Sequence, residues 1–470
     1  MFGLDAGMTI LLIISILTAC LFEFINGFHD TSNAVVNVIY TRSMKPSAAV
    51  IWSAIMNFAG VLFGGIVVAM GIMKLLPNEL LMNQTLAQNV ALIFAILLSS
   101  IIWNFGTWYL GIPSSSSHTL LGSIFGVGVA YNFLPEASSI ALNWGKVESV
   151  CIWLLLSPLV GFMLAWGLVA LLKKTVKYKK FYRAPHAKKA PPFWIRLIII
   201  LSGTHLSFSH GQNDGQKGVG IIMIILIAIV PAHFAINHHH HPEKLLLQVN
   251  SIENVINKLD SQPLNVKDKA ALSVIHYRID TMQSVLAGKP SFDSISAASS
   301  WVLRDNIMHL EGETNAILEV IPGKQVVSLT RDDKKLLESE FEGIKSYTDY
   351  APVWIIFMIS LALGLGTTIG WKRIVVTVGE KIGKEPLNYA QGASANLIAA
   401  STISLSSVFG LPVSTTQILS SGIAGSMVAT NGIKNVRKKT LKNILITWLL
   451  TIPVTMILAG LLFLLFRSIF

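Results

Sequence analysis

The sequence predicts an all-α polytopic membrane protein. It reads as two inverted five-crossing repeats with broken or re-entrant helices, plus a small helical extramembrane insert. Three observations carry this. The 470-residue chain is 52% hydrophobic and only 13% charged, where soluble domains hold about 25% charge. Several apolar runs reach about 20 residues, the length of a membrane helix. Two polar knots, and two Pro-Ser/Thr segments, recur at matched places in two halves.

The first apolar run, roughly 8–28, carries Glu23 and then the knot Gly27-Phe28-His29-Asp30-Thr31-Ser32-Asn33-Ala34. Runs near 47–73 and 89–110 follow. Pro113-Ser114-Ser115-Ser116-Ser117-His118 then opens a run to about 131, and 148–172 closes the first half. Residues 1–172 are thus the first repeat. The loop 173–193, with Lys173, Lys174, Lys177, Lys179, Lys180, Arg183, Lys188 and Lys189, is expected on the cytoplasmic side, because short basic loops stay there.

The second repeat starts at 194–236 with Gly211-Gln212-Asn213-Asp214-Gly215-Gln216-Lys217-Gly218 and resumes at 351–470. There Pro412-Val413-Ser414-Thr415-Thr416-Gln417 mirrors the earlier Pro-Ser segment. Asp30 and Asp214 are 184 positions apart, Pro113 and Pro412 299. The excess is about the length of a polar insert, 237–350. Without it the halves have equal spacing. Five crossings per half turn the second upside down, a recurring transporter plan.

The insert holds 16 acidic and 12 basic residues, against 9 and 24 in the rest of the chain. The basic surplus lies in short loops and reports topology, not nucleic-acid binding. Helix-period stretches near 243–260, 265–287, 296–320 and 328–348 suggest a small bundle. His238–His241 invite a divalent metal, although a solvated linker explains them more simply. Cys20 and Cys151 read as small apolar residues. Met1 to Thr9 lacks the basic start of a cleaved signal peptide.

Outside the insert, the only acids inside apolar segments are Glu23, Asp30 and Asp214, and the only lysine well inside one is Lys217. Such charges are costly and mark function, although a structural salt bridge would give the same pattern. The Pro-Ser segments supply the complementary chemistry. Proline suits a first helical turn, serine and threonine cap it, and the free amides there bind oxyanions. Ser114, Ser115, Ser116, Ser117, Ser414, Thr415 and Thr416 are therefore candidates for holding a tetrahedral anion, with Asn33 and Lys217. Asp30, Asp214, Glu23 and Asn213 are candidates for cation or proton coupling, with His29 and His118 as relays. An anion beside two carboxylates needs accompanying positive charge, which is the physical reason for symport. Lys217 stands where the first half has Asn33, so a fixed ammonium replaces one bound cation. That favours proton-linked or metal–phosphate uptake over two-sodium coupling.

These residues resemble the inorganic phosphate transporter (Pit) family, in particular bacterial low-affinity phosphate permeases. That family carries a duplicated Gly-x-Asn-Asp-x-x-Asn-Ala-type signature, which here reads GFHDTSNA and GQNDGQKG. The Asn26-Gly27 entry and Tyr350-Ala351-Pro352-Val353-Trp354 also match. His29 and Lys217 depart from the signature. The resemblance implies phosphate import across a bacterial cytoplasmic (inner) membrane, with Asp30, Asn33 and Asp214 at the binding centre. It implies protons as the coupling ion and neutral divalent metal–phosphate complexes as cargo. Expected partners are phosphate, arsenate as its analogue, protons, divalent metal ions, the bilayer and, as an option, a second copy. No cofactor is expected. Competing readings are a sulfate or other oxyanion permease, sodium-coupled phosphate symport, a phosphate sensor, and an intramembrane hydrolase using Ser116 with His118 or His210. The hydrolase fits poorly, because a nucleophile needs a base and an orienting partner.

Overall fold

The computed structural model describes residues 2–76, 80–81, 85–135, 144–186, 189–259, 265–320 and 329–469. Among these the chain is helical, and it divides into two compact units. One comprises residues 1–6 and 226–350, the other 7–225 and 351–470.

The larger unit begins with α1 (Ala6–Tyr40), α2 (Pro46–Phe63), α3 (Val67–Met73), α4 (Leu86–Tyr109), α5 (Ser116–Asn132) and α6 (Trp144–Thr175). It continues with α7 (Phe193–His210), a π-helical turn (Gly211–Gly215) and most of α8 (Gln216–Ile229). Among the described residues, five helices are long and apolar enough to cross a membrane: α1, α2, α4, most of α6, and a helix at Lys438–Ile469. Their outward side chains stay apolar; Leu17, Leu155 and Leu461 are all exposed. That suits hydrocarbon and not water. At about 1.5 Å per residue, α1 is about 50 Å long, well beyond a hydrocarbon core of about 30 Å.

The smaller unit contains α9 (Pro242–Ile256), α10 (Val266–Leu286), α11 (Ala297–Val320) and α12 (Arg331–Lys345). Their apolar positions recur at three- and four-residue steps: Leu245, Val249, Ile252 and Ile256 on α9, Ile275, Ile279 and Met282 on α10. Such stripes zip into a bundle core, which Phe341 and Ile344 of α12 complete. The two chain ends of the unit are tied together. Buried Arg304 donates to Ala235 O (3.0 Å) and Thr348 O (3.2 Å). Asn237 N donates to Tyr347 O at 2.8 Å. Burial pushes the Arg304 guanidinium down to about 10.

The rest of the larger unit is α13 (Val353–Thr367), α14 (Lys372–Val376), α15 (Tyr389–Val408), α16 (Thr415–Asn431) and α17 (Lys438–Ile469). α5 packs along α17, and α16 along α6. Both contacts depend on glycine. A Cβ on Gly126 would fall on the carbonyl oxygen of Met456, and one on Gly425 on that of Phe162. Small residues bring helix backbones this close in membranes.

Two expectations change. Breaks were expected at both aspartate knots, but α1 runs unbroken through Asp30, and Asp214 sits in a π turn that joins α7 directly to α8. Neighbouring hydroxyls satisfy these carboxylates, so the backbone need not open. The break lies instead after Thr367, where α13 and the following helical segment bend by 57°. There Gly370 takes φ +74°, a conformation that glycine adopts at little cost. The Pro-Ser segments open short helices: α5 and α16 have 17 residues each. They are almost wholly buried, so they face protein and need not be apolar enough for lipid.

Candidate functional site

The two Pro-Ser/Thr segments fold alike. Gly111 and Gly410 both take φ +66° and turn the chain sharply after α4 and α15. Pro113 and Pro412 follow. Ser115 then accepts a hydrogen bond from His118 N at 3.2 Å, and Ser414 one from Gln417 N at 3.2 Å. Each is an N-cap. The next residues, Ser116-Ser117 and Thr415-Thr416, form the first turns of α5 and α16.

These tips meet both aspartates. Ser116 Oγ donates to Asp30 Oδ2 at 2.9 Å, and Thr416 Oγ1 to Asp30 Oδ1 at 2.6 Å. Thr415 Oγ1 donates to Asp214 Oδ2 at 2.9 Å. Lys217 Nζ lies 2.5 Å from Asp214 Oδ1 and also donates to Ser117 Oγ. Ser117 in turn donates to Val413 O of the opposite tip at 2.7 Å. All of these side chains are buried. Charge in so dry a setting persists only when paired or hydrogen-bonded.

Histidines stand on both sides. His29 Nδ1 is 3.1 Å from Asp30 Oδ1, and its Nε2 is 3.3 Å from Thr107 Oγ1. His210 Nε2 is 3.1 Å from Asp214 Oδ2, close enough for an ion pair but poorly aligned for a hydrogen bond. Asn57 Oδ1 lies 3.1 Å from His210 Nδ1, and Asn57 Nδ2 donates to Thr367 Oγ1 at 2.9 Å. One ligand atom each from Asp30, His210 and Asp214 falls within 4.8 Å of the others. That set has the oxygen and nitrogen donors of a divalent cation site.

The remaining candidates are placed differently. Ser114 Oγ accepts from Trp103 Nε1 at 3.1 Å and meets Thr451 Oγ1 at 3.2 Å, so it ties the tip to its supports. Ser115 and Ser414 are spent as caps. Asn213 holds the second tip: its amide donates to Ser407 Oγ at 3.0 Å and Leu411 O at 3.2 Å, while its oxygen accepts from Val413 N at 3.4 Å. It positions the tip; these bonds occupy the groups it was expected to offer a cation. Glu23 is buried, accepts from Asn26 Nδ2 at 3.1 Å, and packs where a Cβ on Gly218 would sit. His118 links Ser115 Oγ, 2.8 Å from its Nδ1, to Gln417 Nε2, 3.3 Å from its Nε2. The side chain of Asn33 lies outside the described residues.

Sequence reading missed Thr107 and Asn57, and considered His210 only as a hydrolase base. A signal existed for His210, four residues before Asp214 and so on the same helix face. Asn57, a carboxamide inside an apolar run, was also visible.

The whole chain was compared with known proteins. The chain is 39% identical to "Low-affinity inorganic phosphate transporter PitA" of Escherichia coli (strain K12), over 97% of both chains. The same organism's "Low-affinity inorganic phosphate transporter PitB" is also 39% identical, over 97% of each. A "Probable low-affinity inorganic phosphate transporter" of Bacillus subtilis (strain 168) is 29% identical, over 98% of this chain and 100% of that one. Among solved structures, "The sodium-dependent phosphate transporter" shares the fold, with TM-score 0.56 and 20% identity over 98% of this chain and 100% of that one. The profile of the Phosphate transporter family matches residues 26–459, and the chain belongs to that family.

Proposed function

We infer that this multi-pass membrane protein is a low-affinity inorganic phosphate transporter and not an enzyme. We further propose that it works as two inverted repeats, residues 1–172 and 194–236 with 351–470. In this reading 173–193 is a cytoplasmic loop and 237–350 an extramembrane insert. Phosphate is bound where the tips of α5 and α16 meet Asp30 and Asp214. The observation that carries the site is the convergence of Ser116 and Thr416, from matched tips in opposite halves, on the single carboxylate of Asp30.

The bonding pattern bears on coupling. A hydroxyl has one hydrogen. Ser116, Thr415 and Thr416 now donate theirs to carboxylates. To hold phosphate, they must turn those hydrogens to the anion. The carboxylates then lose donors inside a dry site, so a proton or cation must arrive with the anion. Asp214 keeps Lys217, 2.5 Å away, as a resident cation. We therefore favour protons as the coupling ion, with Asp30 and Glu23 as acceptors. The cluster of Asp30, His210 and Asp214 supports divalent metal travelling with the phosphate as cargo. Sodium coupling is the competing reading, since the same oxygens suit a hard cation.

Radiolabelled phosphate uptake into proteoliposomes tests this. A pH gradient should drive uptake without sodium, and magnesium should raise it. Arsenate should compete and sulfate should not. Strict sodium dependence at fixed pH would overturn proton coupling. Competition by sulfate alone would overturn phosphate as the substrate.

A further inference from the structure

α6, α16 and α17 enclose a cavity of about 420 Å³ that no step of transport uses. Its wall is almost entirely apolar, with Leu154 and Pro158 from α6 and Ala424 from α16. Such a wall would reject a phosphate ion. Leu445 and Leu449 on its rim are 44% and 68% exposed, so it opens sideways onto the face that meets lipid.

Polar atoms in the lining come from His118, Gln417, Ser420, Ser421 and Trp448, and two of these residues stand out. Ser420 Oγ and Trp448 Nε1 are buried in the wall without a hydrogen-bond partner among the described residues. A buried donor left unused costs about 1–3 kcal/mol. Both lie about three helical turns from the short loop that joins α16 to α17. Trp448 is ten residues from the start of α17 at Lys438, and Ser420 eleven from the end of α16 at Asn431. Each is about 15 Å from its helix end. α17 has 32 residues, or about 48 Å, against a hydrocarbon core of about 30 Å. If it overhangs equally at both ends, the backbone of Trp448 lies about one turn inside the hydrocarbon boundary, and its side chain tilts toward the N-terminal end of α17, up toward the ester carbonyls of a phospholipid. Tryptophan is enriched in this zone. The cavity's surface end is walled by Ile433, Val436 and Leu441. Interleaved with these are Lys434, Arg437, Lys438, Lys439 and Lys442, all exposed. Such a cluster attracts anionic headgroups.

We propose that this cavity binds one anionic phospholipid. Its head lies on the basic run, its ester carbonyls accept from Ser420 and Trp448, and one acyl chain follows Leu154 and Pro158. On the site side the cavity ends at His118 and Gln417, the pair that joins the two tips. A filled cavity steadies that contact and makes transport depend on lipid composition. The proposal rests on the chain spanning a membrane, not on which anion it carries.

The test is native mass spectrometry of the full chain released from nanodiscs of equal phosphatidylcholine and phosphatidylglycerol. The wild type should retain one phosphatidylglycerol. Ala424→Trp, which fills the cavity, should lower retention at least tenfold. Replacing Lys438, Lys439 and Lys442 together by Gln should erase the preference for phosphatidylglycerol. Trp448→Phe, which keeps the bulk and removes the donor, should weaken retention severalfold and serves if the Ala424 variant does not fold. Equal retention by wild type and variants, no retained lipid, or a lipid-free dimer covering this face would each overturn the proposal. No arm contains phosphate, so failure here is separable from failure of the transport reading.

Discussion

Thr416 Oγ1 donates to Asp30 Oδ1 at 2.6 Å across 386 positions of sequence. The same carboxylate takes Ser116 Oγ on its other oxygen. One carboxylate thus gauges how close the two tips stand. Hydrogen bonds to charged groups are worth about 1.5–3 kcal/mol. Thr416→Val and Ser116→Ala should therefore each lower the initial rate of phosphate uptake roughly ten- to a hundredfold. Because both act on one group, the double variant should fall short of the product of the two losses. Asp30→Asn should abolish uptake while the protein still reaches the membrane. Normal transport by that variant would remove Asp30 from the site.

Gly126 makes a separate prediction, about assembly. It lets α5 lie against α17 at the carbonyl of Met456, where no Cβ fits. Both partners there are backbone, so relief means moving a helix. Gly126→Leu should lower the thermal unfolding midpoint in detergent and reduce uptake in proportion to folded protein. Gly167, with open space around its missing Cβ, is the control: Gly167→Ala should change neither.

The centre of the candidate site was legible because charge in an apolar run is scarce. Asp30, Asp214 and Lys217 stand out by cost alone, and the tips by their match around Pro113 and Pro412. What each neighbour does was not legible, because it depends on helix rotation and on contacts across the two halves. Asn213 sits beside Asp214 in sequence, yet its amide serves the tip at Leu411 and Val413. Asn57 and Thr107 reach the histidines from helices that sequence does not bring near. The position of the bend was missed for a related reason. Polarity at Asp30 signals a ligand, and sequence cannot tell a satisfied carboxylate from a broken helix.

The smaller unit should have its own pH response. The hydrogen bond to Asp305 holds the His309 imidazole above its usual range, at about 9, with Nδ1 3.3 Å from Asp305 Oδ1. A histidine raised on folding adds stability below its unfolded value, about 6.5, and loses it as pH climbs through the folded value. The bundle should therefore soften between about pH 6.5 and 9, reported by fluorescence of Trp301, which is buried on the same helix, α11. His309→Ala should flatten that dependence. Half-exposed as it is, the pair should give a small effect that weakens further in high salt.

Lys217 decides between the coupling schemes. Its ammonium is fully buried against Asp214 and Ser117, at the place where the first half has Asn33. Removing one partner of a buried ion pair leaves the other uncompensated, at about 3–5 kcal/mol. Lys217→Met should therefore cost both stability and uptake, whatever salt is present. Lys217→Asn is different. It restores an oxygen ligand and opens room beside Asp214, so a sodium ion can take the place of the ammonium. Uptake by this variant should be low without sodium and rise with it, while the wild type stays indifferent. The measurement is initial uptake into proteoliposomes over a sodium titration at constant pH. A flat titration for Lys217→Asn in folded protein would mean that Lys217 holds the tips together and does not stand in for a coupling cation.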